Sequence, residues 1–328
     1  MSPYISRGVI STRQVFHHLK QQEYKWQSIE KYVQELAWRD YWQQVWIAKG
    51  EQIFTDLKNT QSPVSNVGIP KAIIEAKTGI EAVDEAILKF YQTGYMHNHM
   101  RMYVASICCN LANSHWLQPA KWMYSHLLDG DLASNHLSWQ WIAGSFSSKK
   151  YFANQDNINT YFRSTQKETF LDVDYDQFNF IKTPPVLIET TTLNNTTPLP
   201  PVDLPNLNSN KTTLIYNYYN LDPIWYEGKD VERVLLLEPS VFFKNPVSQN
   251  AINFALALSK NIPDIKVFVG EFSDLQKQLN PEKIIYKEHP LNFNYQGYQE
   301  PREWMSNVTG YFPSFFAFWK KCKNEIIF

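Results

Sequence analysis

Apolar residues recur at steps of three and four through most of the first 145 residues. In the run GIEAVDEAILKFY, Ile80, Val83, Ile87 and Phe90 fall on one face of a helix with 3.6 residues per turn. The same spacing predicts helices from about residue 11 to 145. Between about 164 and 211 the period disappears: TTTLNNTTPLPPVDLPNLNSNK holds Thr, Asn and Pro, almost no charge and no apolar face, and reads as a linker. Beyond it the signal alternates. TTLIYNYY, RVLLLE, IKVFVG and EKIIY read as strands and SQNAINFALALSKN as a helix. Strands joined through a helical crossover predict a small α/β domain with a mostly parallel sheet. The tail PREWMSNVTGYFPSFFAFWKKCK predicts a docked aromatic helix. The expected division is therefore a helical domain over 1–163, a linker over 164–211 and an α/β domain over 212–328.

With 328 residues, two domains can each bury a core. Lys and Arg number 31 against 32 Asp and Glu, a formal charge of −1, so a nucleic-acid partner has to be met by a local patch. Lys149 and Lys150 are the candidates. Cys108, Cys109 and Cys322 are too few for a disulfide framework, and the adjacent pair sits in an apolar stretch where it packs as small hydrophobes. No apolar run reaches the ~18 residues of a membrane helix, and MSPYISRGV lacks the apolar core of a secretory signal. The expectation is a cytoplasmic monomer without a membrane partner. Aromatic residues make up 15% of the chain, with 11 Trp; at regular spacing these indicate a stacking surface or an electron path.

Three segments carry candidate chemistry. In YVQELAWRDYW, Glu35, Trp38, Arg39 and Trp42 share a helix face, so a carboxylate, a guanidinium and two indoles line up. Their readings are a solvated ion pair beside aromatic core, or a wall for a planar ligand. In GYMHNHMRMYVAS, Asn98, Arg101 and Met102 converge on one face. His97 and His99 diverge on a helix and have no second ligand cluster, so no metal is expected. In LLDGDLASNHLSWQW, Asp129 and Gly130 make a turn, Asp131 caps a helix, and Asn135 and Trp139 follow along its face.

Together these segments resemble the FAD-binding domain of the photolyase/cryptochrome family. The resemblance rests on Trp38, Arg39, Asp40 and Tyr41; on Lys77, Thr78 and Gly79 followed by GYMHNHMRM over 94–102; and on DGDLASNHLSWQW over 129–141. It covers about residues 2 to 152, with SPYISRGVIST similar to a segment near the start of that domain. The fold class it implies is α+β: an all-helical photolyase-type FAD-binding domain followed by the smaller α/β domain.

The resemblance also implies roles. Asn98 would face the flavin, Arg101 and Asp129 would pair beside its ring, and Asp131 and Asn135 would bond its polar edges. Arg39 would contact FAD from its helix and Ser2 its diphosphate. Trp38 and Trp141 would wall a pocket for a pyrimidine dimer flipped from DNA, with Glu35 and Met102 as its polar and soft contacts. Trp116 and Trp139 match two members of an electron-transfer chain; no Trp lies between Lys49 and Thr78 for the third, so the route is open, the alternatives being a path such as Trp122 or a Tyr and weak photoreduction. The implied function is blue-light-driven repair of pyrimidine dimers by electron transfer from reduced flavin, a carbon–carbon lyase activity. The alternatives are a cryptochrome-like photoreceptor that signals through a partner and an FAD-free binding module. Compared with the family pattern the chain reads as N-terminally shortened. The α/β domain loosely resembles the family's antenna-binding domain, and its antenna chromophore is unassigned.

Overall fold

The computed structural model describes residues 1–203, 205–277 and 279–326. They form two compact units, one built from residues 1–50 and 196–328 and the other from residues 51–195.

The first unit opens with three helices, α1 (Ser2–Ser6), α2 (Thr12–Gln21) and α3 (Trp26–Lys49). Ser11 starts α2 with a capping box: its Oγ accepts from the Gln14 backbone N–H at 3.1 Å, and its own N–H donates to Gln14 Oε1 at 2.8 Å.

The second unit follows in chain order. It contains β1 (Ile69–Pro70), α4 (Lys71–Ile74), α5 (Glu81–Thr93), α6 (Asn98–Ser106), α7 (Leu117–His126), α8 (Leu132–Ala143), α9 (Gln155–Phe162) and β2 (Thr190–Thr191). Val83, Ile87 and Phe90 of α5 are fully buried, as their spacing predicts. A π-helical turn over Ile107–Leu111 continues α6 and buries Cys108 and Cys109, whose thiols burial pushes well above the usual range. Residues of the expected linker return to this unit, where Thr190 and Thr191 pair antiparallel with Pro70 and Ile69.

The chain then completes the first unit. Its sheet consists of β3 (Thr213–Tyr216), β4 (Glu232–Leu237), β5 (Lys266–Val269), β6 (Ile284–Lys287) and β7 (Tyr298–Glu300), in the order β5-β4-β3-β6-β7. Every pairing is parallel. Around the sheet are α10 (Pro239–Lys244), α11 (Gln249–Ser259) and α12 (Phe272–Gln276), and the chain ends in α13 (Phe315–Ile326). The central strands are buried on both faces, which is why RVLLLE is a continuous apolar run.

The sequence-based division at 163 and 211 is not the one the structure makes. Residues 1–50 pack with the α/β elements, because their buried polar groups find partners there. Leu221 donates its N–H to the Arg7 carbonyl at 2.9 Å, and the Arg7 guanidinium lies 3.8 Å from the Tyr218 ring centroid. Gln43 accepts from Arg302 Nη1 at 2.6 Å, and Gln44 accepts from the Gly310 N–H at 2.7 Å.

Asp40 joins α2, α3 and the C-terminal segment. Its carboxylate accepts from Thr12 Oγ1 at 2.9 and 3.1 Å and from the Met305 N–H at 2.8 Å. Burial raises its pKa to about 6, although these bonds and the charges of Arg39 and Arg302 pull it down. The folded pKa lies above the unfolded value, so the folded state holds the proton more tightly. Its stabilisation is complete below about pH 4 and is lost as pH rises through about 6, a change of about 3 kcal/mol for two units. Chemical denaturation of the wild type and Asp40→Asn at pH 4.5 and 7.5 is expected to show the wild type losing stability relative to the variant as pH rises. Parallel pH dependences would refute this.

Candidate functional site

Within residues 51–195, α6, α7 and α8 line a cleft of about 560 Å³ including its open mouth. The enclosed space within it is about 130 Å³, below the ~300–1,000 Å³ range of small-molecule sites. The cleft lining combines apolar side chains, among them Met102, Met123, Trp139 and Ile142, with polar ones, Asn98, Arg101, Asp129, Asp131, Ser134, Asn135 and Ser138. Two of the sequence segments meet here: residues of α6 and of α8 line the same cleft.

Arg101 is held from two directions. Its Nε donates to the Met96 carbonyl at 2.8 Å and its Nη2 to both oxygens of Asp129 at 3.0 Å. The Asp129 side chain is 7% exposed and that of Arg101 23%, so the pair is shielded from screening by water. Asp131 caps α8 by accepting from the Ser134 N–H at 2.7 Å and is itself buried. Asn135 donates to the Ala120 carbonyl at 2.8 Å, which fixes its amide and leaves its oxygen as an acceptor. Asn98 is exposed in the first turn of α6.

Ser134 and Ser138 are site residues that the sequence reading missed. They were accessible to it, since Asp131, Ser134, Asn135, Ser138, Trp139 and Ile142 fall at i, i+3, i+4, i+7, i+8 and i+11 along one helix face. Ser134 Oγ is buried and has no hydrogen-bond partner among the described residues. An orphaned hydroxyl beside an anchored amide and a guanidinium fits a planar ligand with polar edges, such as an isoalloxazine. The donor set therefore suits FAD.

Trp139 is buried and lines the cleft, whereas Trp116 and Trp141 do not line it. The Trp116 indole N–H donates to Asp56 at 2.7 Å, and the ring meets His136 edge-on at 6.0 Å. His136 donates Nδ1–H to the Leu132 carbonyl and is pushed down to about 3 by burial, so it is neutral. Trp122 is also buried and donates to the Tyr91 hydroxyl at 3.1 Å. Trp141 is 38% exposed and tilts against Tyr151.

The other expected residues belong to the unit of residues 1–50 and 196–328. Ser2 begins α1 and is exposed, and Glu35 is exposed on α3. Arg39 donates to Ser6 Oγ at 2.9 Å. Trp42 is buried. Trp38 stacks on Phe315 of α13 with centroids 3.6 Å apart and planes at 9°, so one face of its indole is covered. Among the described residues no group of three or more His, Cys, Asp or Glu is placed to hold a metal ion, and no helix is long and apolar enough to cross a membrane.

The cleft residues fall within a segment that is similar to known proteins. The family described as "FAD binding domain of DNA photolyase" matches residues 32–178. A deoxyribodipyrimidine photo-lyase of Streptomyces griseus is 31% identical over 146 residues, covering 44% of this chain and 32% of that protein. A cryptochrome DASH of Danio rerio is 32% identical over 149 residues, covering 44% of this chain and 29% of that protein. Among solved structures, a Synechocystis cryptochrome covers 49% of this chain and 35% of its own, at 26% identity and a TM-score of 0.45. Over residues 32–178 the chain is thus similar to the FAD-binding domain of photolyases and cryptochromes. It spans about a third of the length of the curated relatives it matches.

Proposed function

We propose that the cleft between α6, α7 and α8 holds FAD and that the chain uses it under blue light to repair pyrimidine dimers in DNA. The observation that carries this reading is the convergence of Asn98, Arg101, Asp129, Asp131, Asn135 and Trp139 on one cleft. The chemistry that FAD supplies when bound is transfer of one electron to the dimer and its return, with no net redox change. Arg101 contributes a fixed positive charge to the cleft, and Asp129 keeps its guanidinium oriented. Ser134 and Asn135 satisfy polar atoms of the ligand, while Met102 and Trp139 exclude water from it. The dimer is assigned to Glu35, Trp38, Met102 and Trp141, the diphosphate end of FAD to Ser2 and Arg39, and electron entry to Trp139 and Trp116. These assignments rest on the family resemblance.

Phe315, stacked on one face of Trp38, leaves a dimer at most the opposite face, and this favours a second reading, a flavin photoreceptor. Illumination of the reduced, FAD-loaded protein with dimer-containing DNA decides between them. Loss of dimers supports repair, and flavin photoreduction without dimer loss supports the photoreceptor. A protein that takes up no FAD at saturating concentration sinks both.

Ser134→Ala provides a test of the cleft itself. It is expected to weaken FAD binding by about 2- to 10-fold, the worth of one ordinary hydrogen bond. In FAD-free protein it is expected to raise the melting temperature slightly, since an unsatisfied buried hydroxyl is removed. Unchanged FAD affinity would place the ligand elsewhere.

A further inference from the structure

The tryptophans of residues 51–195 are Trp116, Trp122, Trp139 and Trp141, and the two fully buried ones meet different chemistry. Trp116 donates its indole N–H to Asp56 Oδ1 at 2.7 Å, a length typical of a bond to a charged acceptor. Asp56 comes from the loop after Phe54, inside the stretch between Lys49 and Thr78 that has no Trp. Trp122 donates instead to the Tyr91 hydroxyl, whose own proton is given to the Ile74 carbonyl at 2.8 Å. A phenol held in that way is no base.

Asp56 is fixed in position. Its Oδ2 accepts from the Gln61 N–H at 2.9 Å. The Gln61 amide ties the same loop to the start of α7, with Oε1 accepting from the Trp116 backbone N–H and Nε2 donating to the Ser114 carbonyl, both at 2.9 Å. His115 adds a third group beside the carboxylate. Its Nδ1 accepts from the Leu117 N–H at 3.3 Å, so the neutral ring carries its proton on Nε2, which lies 3.6 Å from Asp56 Oδ1. That tautomer turns an N–H toward Asp56 and sets no second base beside it. The Asp56 side chain is 18% exposed and Trp116 not at all, so the carboxylate stands between a dry indole and solvent.

We infer that Asp56 is the proton acceptor for an oxidised Trp116, so that the electron route ends at Trp116 without a third tryptophan. This rests on the flavin reading of the cleft, which supplies a photoexcited flavin as the one-electron oxidant, and not on dimer repair. Loss of an electron leaves a positive charge on the indole, and that charge disfavours keeping the N–H proton. The carboxylate lies within the ~2.6–3.2 Å that a base needs of the proton it takes. The N–H bond breaks, an O–H bond forms at Asp56 Oδ1, and the indole becomes a neutral radical. One electron has left for the oxidant and one proton has moved to the carboxyl. Return of the electron alone would now leave an indole anion in a buried site, which is costly. The separated state at Trp116 therefore outlives one at Trp122. An external thiol restores the indole by donating a hydrogen atom, and Asp56 then releases its proton to solvent.

Transient absorption after a flash on the FAD-loaded full chain tests this, because cationic and neutral indole radicals have different spectra. In the wild type the cation is expected to convert to the neutral radical, more slowly in heavy water than in ordinary water. Asp56→Asn keeps an acceptor for the indole N–H but no base; since a positioned base speeds proton transfer by about 10²–10⁴, the conversion is expected to slow about 100-fold or more. Asp56→Glu is expected to restore it. Conversion at the wild-type rate in Asp56→Asn overturns the proposal, and so does an unchanged radical signal in Trp116→Phe. Should Asp56→Asn fold poorly, time-resolved infrared spectroscopy of the wild type decides. A protonated-carboxyl band is expected to rise with the neutral radical, and its absence overturns the assignment. A chain that takes up no FAD overturns the flavin reading and this proposal together. Normal FAD uptake and photoreduction with no effect of Asp56→Asn overturns the role of Asp56 alone.

Discussion

Arg101→Ala is expected to lower the stability of the helical unit by about 3 kcal/mol and to abolish retention of FAD. The substitution leaves Asp129 as a buried carboxylate without its partner, and breaking such a pair costs about 3–5 kcal/mol. The partial exposure of Arg101 places the effect at the lower end. Urea denaturation and the flavin absorbance of the purified protein measure the two effects. The double variant Arg101→Leu, Asp129→Leu separates them, because replacing both charges by apolar groups removes the uncompensated charge. It is expected to recover most of the stability and none of the FAD. A double variant that binds FAD normally would show that the ion pair is merely structural.

Gly8→Ala is expected to destabilise the unit of residues 1–50 and 196–328 by about 3 kcal/mol or more. Gly8 has φ +64°, and a Cβ placed there would lie 2.3 Å from the Tyr219 carbonyl oxygen and 3.1 Å from its carbon. The left-handed conformation alone costs a side chain about 1–2 kcal/mol. The collision is with backbone, so relief requires the segment around Arg7 to lift away from Tyr218 and Leu221. Gly228 isolates the collision, with φ +70° and nothing within 4 Å of its would-be Cβ. Gly228→Ala is expected to cost only the conformational part. Equal losses in the two variants, read as urea midpoints, would contradict the close approach.

Local pattern was legible wherever a residue's environment is set by its own element. The four strands β3 to β6 and helix α11 follow from apolar runs and periodicity, and Asp131 caps α8 as its position before the helical run indicates. The face shared by Asn98, Arg101 and Met102 opens onto the cleft because α6 is regular there. Tyr298–Glu300 escaped notice because a short, largely exposed edge strand has no apolar alternation.

Partnership between distant segments was not legible. Spacing placed Glu35, Trp38, Arg39 and Trp42 on a single stripe, yet Glu35 is exposed, Trp42 is buried and Trp38 is stacked on Phe315. Periodicity identifies which residues share a face but does not say what covers it. The same gap explains the domain division. Asp40, Gln43 and Gln44 are polar residues of α3, and they are buried because donors from residues 302–310 reach them.

That unit joins the two ends of the sequence around an intervening block, and this has a consequence for biosynthesis. Helix α3 leaves the ribosome well before α13, which packs on it, exists. At about 5–20 residues per second, residues 51–195 alone take roughly ten to thirty seconds to synthesise. During that interval Trp38 and Tyr41 of α3 lack the cover that Phe315 and Phe318 of α13 give them. Folding of residues 1–50 into this unit therefore waits on the arrival of residues 196–328.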